Sequence, residues 1–570
     1  MKSFFRLSIF IVIAAFLFSS CKHAGEAGKM IPKDAMFVLH IDTKSLSSKL
    51  PFSEIKNAAW YGELKKHIAE MHHLSDSAAN DLFDHPENSG VDLDKGLFYF
   101  IAKNSSSDAQ LVSEGSIKDA DAFGKFYKKL DTSATIQKDG ELNVLTIKDK
   151  LVMVWNSSNF VSAFNLPRDK MSGHYFGDTH DTANTPAPLI DPSVALTSYC
   201  KSLFSLKSDS SLSENSKFSD LIKEPGDIHA WINSESIMKS SGRLGMLGML
   251  KMDDLIKDNV STYTVNFDNG KIDITHKGYT SKELGDLLRK YSGSGISADM
   301  IKTIPSQDVT GLLALNFKPE GLKALVTLIG VDGLINSGLS ETGITLDDFV
   351  KAMKGDVMLS FTDFSVKKAT DTLMPVSKPD VNVLFSVSVG DKQSFQKVMD
   401  AAKKMGGAMH SMDTSIAYGQ NDKVFAITNH QHFLNDYLAG KADNKFDFMD
   451  KIKGHSVGLF IDLHKILTAA SASEKYHSGD DSTIMAASLG MWNNVISAGG
   501  DFNGDAMMGH TEINLVDQNT NSLKQLNNYF NAIVPVLAEK EEQWEKERKA
   551  ASSADSTMIP PPPPVDSTTK

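Results

Sequence analysis

The chain has 570 residues, of which 41% are hydrophobic and 23% charged, with a formal net charge of −12. That length is too great for one ordinary core, so two to four domains are expected. The acidic balance argues against a nucleic-acid partner and gives no reason to expect electrostatic attraction to anionic lipid, and two cysteines, Cys21 and Cys200, cannot staple a disulfide scaffold.

Residues 1–20 read as a secretory signal. Lys2 and Arg6 supply a basic start, an apolar run follows from Leu7 to Phe18, and Ser19-Ser20 precede Cys21. The run is about 12 residues, too short to stay in a bilayer as a spanning helix. A cysteine at the cleavage point is the bacterial lipoprotein arrangement. The Cys21 thiol would take a diacylglyceryl group and the freed amine an acyl chain, each buried methylene contributing about 0.8 kcal/mol. Phe18 stands where lipoprotein signals more often carry Leu. Loss of Lys2 and Arg6 with the signal would move the net charge from −12 to −14. Residues 21–29 form the tether.

The body then repeats itself. Ile31-Pro32 and Asp34 open an apolar stretch ending near Leu46, and Ile304-Pro305 and Asp308 open a similar one through Phe317 to Leu322. In the same order, Ser89–Asp94 matches Thr342–Asp347, Gly115–Phe123 matches Val387–Phe395, and Asp149–Asn156 matches Asp422–Asn429. Gly226–Asn233 matches Gly454–Asp462, and the turn Asn269-Gly270 matches Asn503-Gly504. Six matches in one order indicate two homologous halves, residues 30–295 and 296–550. Tyr263, Val265 and Phe267 alternate before Asn269-Gly270, and Ile272 and Ile274 follow, which is a hairpin. Asp119 and Asp391 stand as N-caps before the amphipathic stretches beginning at Phe123 and Phe395. The expected fold class is α+β: two internally duplicated lobes of antiparallel sheet with helices packed on one face.

Three segments fall outside the repeat. Residues 166–225 read as a first-half insertion, and 362–380 as a polar loop. A C-terminal helix from Ser522 carries Leu526, Phe530, Ile533 and Leu537 into a charged stretch, and a Pro-rich tail over 551–570 has too little apolar content to fold. Cys200 reads as a small apolar helix residue.

Established catalytic spacings are absent from the sequence. The candidate metal ligands are His174, Asp178, His180 and Asp181, two imidazoles and two carboxylates within eight positions of the insertion. Glu63, His67, Glu70 and Met71 share one helical face, and His430 and His432 diverge at a helix start. Methionine clusters at Met246, Met249, Met252 and at Met405, Met409, Met412 suit an apolar packing face or an adaptable groove.

The lipoprotein start and the segment Ile31-Pro32 to Leu46 resemble a family of Bacteroidota envelope lipoproteins known only as a domain of unknown function, DUF4836. The resemblance implies location and architecture, with no activity and no catalytic residues. The leading expectation is therefore an outer-membrane-anchored envelope lipoprotein, facing the periplasm, since Lys22–Glu26 holds a single acidic residue. It would act as a non-catalytic binding or scaffolding module with an envelope protein, glycan or lipid partner and no cofactor. The alternatives are a metal-dependent hydrolase using His174–Asp181 and a carrier of lipid or another hydrophobic ligand.

Overall fold

Alternating apolar and polar residues make strands with two distinct faces, and eighteen of them join into one antiparallel sheet. The structure, a computed structural model, describes residues 28–72, 80, 83–103, 109–130, 134–147, 151–166, 192–240, 255–367, 378–406, 416–472 and 479–556. The first half supplies β1 (Phe37–Ile41), β2 (Leu97–Lys103), β3 (Ala109–Ser116), β4 (Thr135–Asp139), β5 (Leu142–Ile147), β6 (Leu151–Trp155), β7 (Asn159–Asn165), β8 (Ile228–Asn233), β9 (Val260–Asp268) and β10 (Lys271–Tyr279). The second supplies β11 (Val309–Asn316), β12 (Met353–Lys367), β13 (Lys378–Val389), β14 (Ala417–Gln420), β15 (Val424–Thr428), β16 (Val457–Asp462), β17 (Trp492–Asn503) and β18 (Ala506–Leu515).

The pairing runs β4-β5-β6-β7-β3-β2-β1-β8-β9-β10 and then β18-β17-β16-β11-β12-β13-β15-β14. The two halves thus use the same order, β3-β2-β1-β8-β9-β10 beside β13-β12-β11-β16-β17-β18. They meet where β10 lies against β18, from Lys271 opposite Asn514 to Gly278 opposite Met507. One repeat match shifts: β15 sits beside β13 as β7, not β6, sits beside β3. The first half therefore carries one extra hairpin.

Helices follow in the gaps. In the first half they are α1 (Thr43–Lys49), α2 (Phe52–Ile55), α3 (Ala59–His72), α4 (Ala120–Leu130), α5 (Pro192–Phe204), α6 (Ser216–Lys223), α7 (Ser234–Ser240) and α8 (Lys282–Tyr291). In the second they are α9 (Ala298–Lys302), α10 (Glu320–Leu328), α11 (Asp332–Ser340), α12 (Leu346–Ala352), α13 (Lys392–Gly406), α14 (Gln431–Leu438), α15 (Met449–Ile452), α16 (Leu463–Ser471), α17 (Gly479–Met491) and α18 (Ser522–Ser556). Asp119 Oδ1 accepts from the Ala122 N–H at 2.9 Å and Asp391 Oδ1 from Ser394 N–H at 2.8 Å, so both expected caps form.

The α+β architecture is as expected, and the helices cover both faces of the sheet rather than one. On one face Val38, Phe98, Phe100, Val112, Val154 and Val161 pack with Leu196, Cys200 and Leu203 of α5 and with Phe218 and Leu221 of α6. The matching core of the second half joins Leu312, Met358 and Leu384 to Phe433, Leu434 and Tyr437 of α14 and Ile452 of α15. On the opposite face Ile41, Phe267 and Ile272 meet Leu46, Leu50 and Tyr61 from α1 and α3, together with Leu523 of α18. Beside them Phe123 of α4 packs on Leu145, Trp155 and Phe160.

The stretch expected as an insertion contributes core from Pro192 onward. The pair α5–α6 occupies the place that α14–α15 holds in the second half, and its apolar face is buried against the sheet. Residues 167–191 lie outside the described residues. The C-terminal helix runs to Ser556, past the expected boundary at 550, and continues through Pro535; residues 557–570 lie outside the described ones.

Candidate functional site

The register sets a row of side chains, polar except for Phe98, across the join. Glu114 faces Phe98, Phe98 faces His40, His40 faces His229, His229 faces Thr264, Thr264 faces Thr275, and Thr275 faces His510. All share the face that carries the Val38 core, because strand partners at matching register point the same way. Beyond His510 the row turns to Ala498, Gly458, Ala314 and Met358. The titratable groups are thus confined to the first half and the seam.

His40 and His229 approach with Nδ1 atoms 3.1 Å apart, and His229 Nε2 lies 3.0 Å from the Glu224 carbonyl oxygen. A ring nitrogen facing a carbonyl must donate, so His229 Nδ1 accepts and His40 Nδ1–H donates. Burial, and then the His229 ring beside it, push His40 down to about 3; burial also lowers His229. The pair is neutral and fixed. Burial raises Glu114 to about 8, and its Oε2 has no hydrogen-bond partner, so this carboxyl holds its proton at neutral pH.

At the seam Asp273, His510 and Glu512 bring one ligand atom each within 4.8 Å of one another. Lys271 Nζ already occupies that space, 2.9 Å from Asp273 Oδ2 and 2.8 Å from Glu512 Oε1. Lys451 of α15 also donates to Glu512, and His510 Nε2 lies 2.9 Å from Asp273 Oδ2. The hydrogen bond to Glu512 is the main cause holding Lys271 protonated, well above the usual lysine range. Two carboxylates matched by two ammonium groups make a closed ion network that ties β10 to β18, and a metal would have to expel Lys271.

A site with room for a ligand lies at the end of the seam, an open cleft of about 820 Å³. Its floor includes Trp231 at the end of β8, 1% exposed, whose indole Nε1 has no partner. Asn215, Ser216 and Lys217 enter from the start of α6, Asn233 and Glu235 from the start of α7, and Asp258 from a left-handed backbone position at φ 59°. Lys282, Asp286 and Arg289 line it from α8, Asp505 from the β17–β18 turn, and Lys33 and Asp34 from the chain before β1.

Its walls balance charge. Lys33, Lys217, Lys282 and Arg289 face Asp34, Glu235, Asp258, Asp286 and Asp505. Lys217 Nζ sits 4.5 Å from the Tyr279 ring centroid and 3.9 Å from Asp505, and Arg289 lies 4.8 Å from that of Phe502. The Lys282 hydrogen bond holds Asp286 below the usual carboxylate range. The lining offers hydroxyl, amide, ammonium and carboxylate groups as donors and acceptors.

Of the sequence candidates, Cys21 and the set His174, Asp178, His180 and Asp181 lie outside the described residues, as do Met246, Met249, Met252, Met409 and Met412. Cys200 is fully buried in α5, and burial pushes its thiol up to about 12, as befits a packing residue. Glu63 is half-buried and His67 exposed on α3; the side chains of Glu70 and Met71 lie outside the described ones. His430 is the N-cap residue of α14, and His432 pairs with Asp436 at 3.0 Å instead of with His430. None of the cleft residues was singled out from the sequence as a site. They come from six separate segments, and no local spacing joins them.

A family model described as a domain of unknown function, DUF4836, matches residues 190–469. No curated protein matches the chain. Among solved structures, crystal form III of TP0453 is similar at 9% identity and a TM-score of 0.23, covering 47% of this chain and 88% of that one. Crystal form IV of TP0453 is similar at 10% identity and a TM-score of 0.22, covering 45% and 83%.

Proposed function

We propose that this chain is an envelope lipoprotein, tethered to the outer membrane on its periplasmic side through Cys21, that binds a polar ligand without transforming it. The observation that carries the binding role is the cleft beside Trp231. It combines an unpartnered buried N–H with nearly equal numbers of acidic and basic groups around a volume suited to a small solute. A wall of alternating donors and acceptors favours a neutral or zwitterionic ligand with hydroxyl or carbonyl groups over a polyanion. The tether rests on the order of basic start, apolar run and cysteine in residues 1–21.

A thermal-shift screen of neutral sugars, amino acids and short peptides tests the binding role. At least one class should raise Tm for the wild type and do so less for Trp231→Phe, which keeps the ring contacts and deletes the N–H. A wild type that no solute stabilises, or a shift unchanged in Trp231→Phe, contradicts the assignment of this cleft.

A further inference from the structure

The gap between the first two strands of each half is filled differently. Between β1 and β2, Leu46, Leu50, Ile55 and Tyr61 are 3, 2, 1 and 0% exposed, sealed by α18 and the sheet. Between β11 and β12, α12 buries Leu346, Val350 and Ala352, whereas α10 and α11 contain no buried residue at all. Their composition is nonetheless apolar. Leu322, Leu325, Val326 and Ile329 recur at one helical face of α10 and are half-buried, as is Ile335 of α11, while Leu334 of α11 is 75% exposed. Ordinary burial would place such residues inside.

The position of this face says what could cover it. The cleft, the start of β1, the end of β10, the start of β18 and the end of β11 all lie at one edge of the sheet, as the register requires. The first turn of α10 is fixed there: Lys318 N–H donates to the Tyr291 carbonyl of α8 at 3.0 Å, and Gly321 packs beside the Tyr291 ring. The chain enters the body at the same edge, where Gly28 packs on Phe218 and Ile31. Gly28 follows Cys21 by seven positions, a reach of at most about 25 Å. Lys290 and Lys318 flank the apolar turn, Lys318 Nζ donating to the Lys290 carbonyl at 3.1 Å, where long stems can lie against a lipid interface with their ammonium groups in water.

We propose that α10 and α11 lie in the surface of the bilayer that holds the lipid anchor, Leu334 entering the acyl boundary. The proposal rests on the tethered reading of Cys21. The occupant is a lipid surface because the helix pair is at most half-buried, presents the exposed Leu334 and stands on the edge at which the described chain begins. Docking there would set the cleft beside α8 at the membrane rather than away from it. Apolar contact, not charge, drives it, so neutral lipid suffices.

The test uses the full-length protein with Leu334→Cys labelled by an environment-sensitive dye, and His432→Cys, 91% exposed on α14, as the reference site. Cys200 is buried and stays unlabelled. With phosphatidylcholine vesicles carrying spin-labelled acyl chains, the Leu334 label should be quenched at least threefold more than the reference. Protein that floats with the vesicles while both labels stay equally bright overturns the docking and leaves the tether intact. Protein that does not float at all overturns the tether, and the docking with it.

Discussion

His40 and His229 stand directly opposite each other on β1 and β8, their Nδ1 atoms 3.1 Å apart, with the Phe98 ring centroid 4.5 Å from that of His40. Two imidazoles at that distance hold one shared proton comfortably and a second badly. The unfolded His40 takes up a proton near pH 6.5 and the folded one only near 3. The stability this neutral pair contributes is therefore complete above pH 6.5 and lost as pH falls from 6.5 toward 3, at up to about 1.4 kcal/mol per pH unit. Urea unfolding at pH 7.5, 6 and 5 should show the decline, and His40→Leu should flatten it, whatever that substitution costs in absolute stability.

Glu114 runs the other way. Its carboxyl ionises near 8 when folded and near 4.5 when unfolded, so the folded state is favoured below pH 4.5 and loses that advantage as pH rises to 8. Glu114→Gln should remove this dependence, leaving the variant progressively more stable relative to wild type between pH 5 and 8. An unchanged difference across that range would show Glu114 ionised at neutral pH.

The two halves are joined by the ion network around Lys271 rather than by an apolar seam alone. Glu512, 8% exposed, accepts from Lys271 and Lys451. Glu512→Gln keeps the shape and removes the charge, and should cost about 2 kcal/mol in denaturant unfolding. Burial pushes Asp273 and Glu512 up, but the hydrogen bonds and charges of Lys271, Lys451 and His510 together outweigh it and hold both below their usual range, so acidification should weaken the same contact.

Two glycines should respond in opposite directions. Gly355 adopts φ +104°, and a Cβ there would meet the Phe317 carbonyl oxygen at 1.6 Å, so Gly355→Ala should cost at least about 2 kcal/mol. Gly333 lies inside α11 with open space around its missing Cβ. Gly333→Ala should therefore stabilise by roughly 0.5–1 kcal/mol through helix propensity, as a melting curve would show.

Local chemistry made much of the fold legible. Asn269-Gly270 specifies the β9–β10 hairpin because its tight turn needs positive φ, and Gly270 has φ +70°. Asp119 and Asp391 cap where the amphipathic stretches begin, and Cys200 packs as the small apolar residue its neighbours imply. Long-range pairing was not legible. Nothing near Lys271 in the chain says that Glu512 will lie beside it, nor that β15 takes the place of β7. The stretch 192–223 read as an insertion because its Ser-rich sequence hides the buried face formed by Leu196, Cys200, Leu203, Phe218 and Leu221. The cleft escaped for the same reason, since Trp231 reads as a strand residue until α6, α8 and the β17–β18 turn converge on it.

The tether is the claim on which location, orientation and docking all depend, and radiolabelled palmitate tests it directly. Wild-type protein expressed in a lipoprotein-processing bacterium should carry the label and sediment with membranes, while Cys21→Ser should carry none and remain in the aqueous fraction. Label-free wild type, or a Cys21→Ser protein that sediments with membranes as the wild type does, would contradict the account.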